Sequence, residues 1–255
     1  MTSSLWKGLY RFQMQNILKS AGIMVAIVFL VQVVFGVILI AAEPGEPIYS
    51  NAQESSSVIF CFVLGCCMWK ESFHLSMAAG MTRRGLFVCT LASLLTLCVV
   101  LVPVELLVSL LVNSFLNAPT LFFLIYGQSA EVASSFSSAG FAAQGMLLQI
   151  ACSLALSYSG FFLGVVFYVI PKWLRVVLAI LIPVTLFAGL PSLVLLLPPA
   201  QMEALGQTLL HFFSAPGNVT LVCFCAAVLF ALLAWIPAHR ASLMRNPQPS
   251  TATSG

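Results

Sequence analysis

An all-α membrane protein of six spans is the fold the sequence predicts, and three observations predict it. Of 255 residues, 61% are hydrophobic and 7% charged, and the mean hydropathy is +1.07. Soluble domains carry about 25% charged residues, so a water-facing surface cannot be assembled from this composition. Six apolar runs reach or approach the roughly 20 residues needed to cross a hydrocarbon core of about 30 Å. Under that count all ten basic residues fall on one side, as the positive-inside rule requires.

The chain opens with SSLWKGLYRFQMQNILKS (3–20), where Leu5, Trp6, Leu9, Tyr10, Phe12, Ile17 and Leu18 alternate with Lys7, Arg11 and Lys19. That interleaving suits a helix lying in the membrane interface; a plain basic flank to the first span is the alternative. The spans follow at about 21–42, 53–70, 86–112, 141–170, 174–198 and 218–238. The second is the shortest, and Glu54 and Lys70 at its ends would snorkel to the two interfaces. Pro171 forces a sharp turn between the fourth and fifth, because proline disfavours helix in the residue before it. Pro183 and Pro191 imply kinks in the fifth.

Lys70, Arg83 and Arg84 lie between spans two and three, Lys172 and Arg175 between four and five, and Arg240 and Arg245 after span six. The opposite loops hold Glu43, Glu46, Glu54, Glu131 and Glu203 and no basic residue. A wrong span count would scatter the charges, so both termini are placed in the cytoplasm. The outer loops are short. LFFLIYG (121–127) is too short to span and packs at the outer surface, while Met202, Leu205, Leu209 and Phe212 give 199–217 the spacing of an outer-leaflet or re-entrant helix. Residues 1–245 form one transmembrane domain, and NPQPSTATSG (246–255) is a disordered cytoplasmic tail.

Composition also narrows the chemistry. No aspartate and no G-x-x-x-x-G-K-[ST] phosphate loop are present, which argues against a nucleotide site. The eight cysteines all sit inside apolar runs, where thiols behave as small hydrophobes; Cys66-Cys67 and Cys223-x-Cys225 leave metal binding as the weaker reading. His74 and His239 lie at the cytoplasmic edge and His211 in an outer segment, so no intramembrane protease arrangement is evident. Neither a catalytic residue, a metal ligand nor a cofactor-binding residue is assigned, and no nucleic-acid partner is expected.

Glu105 is the one acid well inside a span, about six residues or roughly 9 Å beyond the midpoint of the third. It either lines a polar path or gate, or it reaches the outer interface or hydrogen-bonds across a helix kink at Pro103. Gly160 and Gly164 in GFFLG would let another helix approach closely, within the chain or in a dimer.

Residues 68–87, MWKESFHLSMAAGMTRRGLF, are charged at both ends and apolar between. On a helical wheel Phe73, Met77 and Met81 form one stripe, and Leu75, Ala78 and Ala79 point largely the other way. Two apolar faces suggest one against the protein's own helix ends and one offered to a partner. Gly80 ends or bends the segment, and Thr82 is placed to cap the next helix.

FHLSMAAGMTRRGLF (73–87) resembles the loop between the second and third membrane helices of permeases in the type-2 ATP-binding-cassette export class. Gly80, Thr82, Arg83, Arg84 and Phe87 fill a pattern of glycine, a hydroxyl residue, paired basic residues and phenylalanine. The layout is similar as well: an N-terminal interfacial helix, six spans and outer helices between spans five and six. The resemblance implies a coupling helix over 71–84, with Glu71, Phe73, His74, Met77, Gly80, Met81, Arg83 and Arg84 docking a separate ATPase subunit. It implies two ATPase copies carrying ATP and Mg, a second permease chain, and export of a hydrophobic or amphipathic peptide, lipid or drug. The setting is the cytoplasmic membrane of a bacterial cell, in contact with its lipids. An ion-coupled secondary transporter and a non-transporting scaffold or sensor are the competing readings.

Overall fold

The computed structural model describes residues 2–42, 52–116, 121–126, 139–185, 203, 206–209 and 212–240. Its elements are α1 (Thr2–Ala42), α2 (Ala52–Ala78), α3 (Arg83–Leu116), α4 (Leu121–Tyr126), α5 (Ala139–Val169), α6 (Lys172–Val184) and α7 (Pro216–Arg240). There is no strand among the described residues. Five of these helices are long and apolar enough to cross a membrane, over Trp6–Ile38, Glu54–Ala78, Arg83–Val112, Ala143–Val169 and Pro216–His239. The outer part of the expected fifth span, most of the 191–217 segment and the 246–255 tail lie outside the described residues.

Two expected junctions are continuous helix. α1 runs unbroken through 41 residues, about 60 Å at the helical rise and twice the hydrocarbon thickness. The N-terminal segment is therefore the first turns of the same rod as span one, with no separate helix. α2 likewise passes through Lys70 and ends only at Ala78, so residues 71–78 extend span two.

The α2 terminus is set by local chemistry. Gly80 has a φ of 73°, a conformation that costs a glycine little because it has no Cβ. The Met81 amide donates to the Ser76 carbonyl at 3.0 Å and the Gly80 amide to that of Met77 at 3.1 Å. This pairing satisfies the last helical carbonyls and reverses the chain. α3 then starts at Arg83 under a Thr82 cap, whose Oγ1 accepts from the Gly85 amide at 3.3 Å.

The core is built on α5, which packs most extensively against α2 and α7. A Cβ added to Gly160, Gly164 or Gly65 would collide with the carbonyl oxygen of Phe62, Cys66 or Ser157 respectively. Backbone meets backbone there, the close approach that small residues permit. Contacts advance together along both chains, from Ser57–Gln149 to Phe73–Tyr168, so α2 and α5 run parallel. α5 and α7 are also parallel: Cys152 Sγ lies 3.6 Å from Cys223 Sγ, and Phe162 stacks with Phe230. All eight cysteines are free thiols.

These directions bring the start of α1, the α2–α3 hairpin, the α5–α6 turn and the end of α7 to one end of the bundle. The described basic residues gather at that end, hereafter the basic end. Among the described helices α6 is peripheral, with no extensive contact to another; Trp173 is 70% exposed.

A different seam joins α1 to α2 and α3. Gln13 is buried among them; its Nε2 donates to Ser72 Oγ at 2.8 Å and to Thr90 Oγ1 at 3.4 Å, while its Oε1 accepts from Ser93 Oγ at 3.0 Å. Tyr10 adds a 2.8 Å hydroxyl contact with Thr96. Toward the other end the α1 and α3 surfaces separate into an apolar groove of about 380 Å³, lined by Val25, Ala26, Phe29, Val104 and Val108 among others.

Candidate functional site

The α2–α3 hairpin tip is the first candidate site. Its apolar stretch divides between inside and outside, in a different way from the wheel's two stripes. Phe73 and Met81 pack into the core, and Ser72 and Ser76 are buried beneath the tip. Leu75 (48% exposed), Met77 (40% exposed), Ala78 and Ala79 face outward. The face offered to surroundings is thus Leu75–Ala78–Ala79 with Met77, and Phe73 is an anchor. Glu71 and Arg84 are exposed; Arg83 Nε is buried without a hydrogen-bond partner among the described residues. The His74 side chain lies outside the described residues.

The anchor extends across four helices. Phe73 packs on Trp69 with ring centroids 5.5 Å apart and on Tyr168 of α5 at 5.2 Å. Trp69, fully buried, meets Phe161 edge-on at 5.8 Å. Phe87 of α3 lies 5.6 Å from Phe161 and 5.0 Å from Trp235 of α7. Tilted and edge-to-face rings of this kind favour particular mutual angles, and the chain of contacts joins the tip to α5 and α7. Sequence reasoning singled out Phe73 and Phe87 and missed Trp69, Phe161, Tyr168 and Trp235. Their aromatic character was visible, but membrane helices are rich in such residues and their meeting is a tertiary fact.

Gly160 and Gly164 are used inside the chain. Both press on α2 through Phe62 and Cys66, which occupies that face with an intramolecular neighbour.

Glu105 is the second candidate. It is 2% exposed, enclosed among the helices of the bundle. Ser57 of α2 and Gln149 of α5 stand beside the carboxyl, with Glu54 close by. Neither carboxyl oxygen is in hydrogen-bonding geometry with any described group. The neighbours are instead bonded to one another: Ser57 Oγ donates to the Glu54 carbonyl at 2.9 Å, and Gln149 Nε2 approaches that carbonyl at 3.3 Å and Ser57 Oγ at 3.4 Å. Ser153, one turn along α5 from Gln149, is buried with its hydroxyl unpartnered among the described residues. Gln149 was a readable signal, an amide inside an apolar run, that the sequence reading passed over.

Among the described residues no group of three or more His, Cys, Asp or Glu side chains is placed to hold a metal ion. No protein-family profile, curated protein or solved structure matches the chain.

Proposed function

We propose that the chain is the permease subunit of an ATP-driven exporter of the type-2 ATP-binding-cassette class, crossing the membrane six times with both termini in the cytoplasm. The observation that carries the reading is the hairpin tip. It exposes Leu75, Met77, Ala78 and Ala79 beside Arg84 and Glu71 at the basic end. An apolar patch rimmed by charge suits a protein partner, and a chain without a phosphate loop needs one to use ATP.

The helix directions support the sixth crossing. α5 ends and α7 begins at opposite ends of the bundle, the arrangement expected if one further span lies between them. The positive-inside rule makes the basic end cytoplasmic. Docking of a separate ATPase on the tip would move Phe73, and through Tyr168, Phe161 and Trp235 it would shift α5 and α7. The exposed apolar surfaces of α1, α6 and α7 leave room for lipid, for a second permease copy and for a hydrophobic or amphipathic substrate.

Purification from native membranes tests the assignment: an ATPase bearing a phosphate loop is expected to accompany the chain. Leu75→Asp and Met77→Asp should abolish that association while insertion and monodispersity persist. Retention of the ATPase by both variants, or its absence from the wild-type preparation, overturns the docking reading. The enclosed carboxyl of Glu105 favours a second reading, ion-coupled transport without an ATPase, which the same purification separates from the first.

A further inference from the structure

The geometry points to a small-cation site at Glu105: the carboxylate, Ser57 Oγ, the Glu54 backbone carbonyl and the Gln149 side-chain oxygen together bind a dehydrated monovalent cation of the sodium type. The chemistry starts from charge. A carboxylate enclosed among membrane helices without a cationic side chain is costly, so the group must be neutralised by a proton or by a bound cation. A proton needs one further acceptor at most. The nest supplies a hydroxyl, a backbone carbonyl and an amide in addition to the carboxyl, all from α2, α3 and α5. Hard oxygen donors of this kind suit alkali and alkaline-earth ions, and the one fully enclosed carboxylate matches a single positive charge, the nearby Glu54 being only partly buried.

Both Glu105 oxygens are unbonded, although Ser57 and Gln149 are adjacent. The Gln149 amide is held only by long contacts of 3.3 and 3.4 Å. Amide oxygen and nitrogen differ little in shape, so a half-turn of that group places Oε1 where Nε2 now stands. The Glu54 carbonyl, Ser57 Oγ and Gln149 Oε1 then form one oxygen cluster, with Ser57 and Gln149 next to the carboxylate. Ser57 lies five residues into α2, about 8 Å along the helix from its first residue, so the nest sits near the end of α2 away from the basic residues.

Exchange conserves charge: the protonated Glu105 carboxyl and a sodium ion become a sodium carboxylate and a released proton. Acidification therefore competes with the ion. Glu54 and Cys61 of α2 are the titratable neighbours from the packed elements among the described residues, and Gln149 is the neutral contribution of α5. The inference does not rest on ATPase docking, and either can fail alone.

Equilibrium binding of radioactive sodium to the purified full-length chain in detergent tests it. One saturable site per chain is expected, weakened by acid and displaced far less well by potassium than by lithium. Glu105→Gln should abolish binding, and Ser57→Ala or Gln149→Leu should weaken it about tenfold or more. Monodisperse elution and unchanged helix content are checked for each variant, and the Gln149→Leu result decides if Glu105→Gln does not fold. Absence of saturable sodium binding in the wild type, or binding unchanged in the folded variants, overturns the proposal.

Discussion

The α2–α5 seam and the α1–α3 seam solve the same problem in opposite ways. In the first, Gly65, Gly160 and Gly164 bring backbones into contact over residues 62–66 of α2 and 157–164 of α5, and nothing larger than hydrogen fits. In the second, one buried glutamine ties three helices at the basic end, while farther along an apolar groove stands open. Lipid tails are as apolar as leucine, so helices in a membrane are held by close packing and interhelical hydrogen bonds. A seam of glycines holds two helices backbone to backbone, whereas a polar latch holds them at one place and leaves the far ends apart. The contrast makes α2–α5–α7 the frame of the molecule and the outer half of α1 its loosely packed edge.

The largest expected effect comes from breaking the tight seam. Gly160→Leu or Gly164→Val drives a side chain into a carbonyl group of α2, and overpacking a filled interior typically costs about 1–3 kcal/mol, more against backbone. Denaturant titration in detergent should register a loss at or above that range, together with a fall in monodisperse yield. Gly22→Ala is the matched comparison, since nothing lies within 4 Å of its added methyl. It should be neutral or gain up to about 1 kcal/mol of helix propensity. Equal damage from the two classes would remove the distinction between the seams.

Gln13→Leu should have a smaller and more local effect. It deprives Ser72, Thr90 and Ser93 of their shared partner, and hydrogen bonds between membrane helices contribute about 0.6–1.7 kcal/mol. Hydrogen exchange should speed up in the first third of α1 and stay unchanged in α5. Acceleration spread evenly over both helices would make the latch part of the frame.

The smallest effect is expected in the groove. Ala26→Leu adds bulk where α1 and α3 are already apart, and unfolding stability should stay within about 0.5 kcal/mol. A cost comparable to that of Gly160→Leu would mean that the groove closes in the folded protein.

Much of the frame was legible in the residues. The long apolar runs marked the five helices able to cross a membrane, because run length and bilayer thickness share one scale. Gly80 and Thr82 announced the hairpin turn, since a positive φ and a helix cap each demand a particular kind of residue. The junctions at residues 19–21 and 70–71 were not legible. Apolar character ends there, but helical hydrogen bonding does not require apolar side chains, and α1 and α2 run on.

The faces of the hairpin were beyond reach for a related reason. A wheel sorts Phe73 from Leu75, yet both are apolar, and which one turns inward depends on Tyr168, nearly a hundred residues away. The same holds for Glu105, whose depth in span three was readable. That it faces Ser57 and Gln149 depends on how three helices rotate against one another.

Local composition measured against the bilayer is enough to put the chain in a membrane, to mark its apolar helices and to say which loops carry the positive charge. It says nothing of the glycines of α5 being spent on α2, of Leu75 and Met77 facing outward at the tip, or of one carboxyl being enclosed among oxygen donors. Those outcomes depend on helix rotation and register, which are set by contacts between residues far apart in the chain.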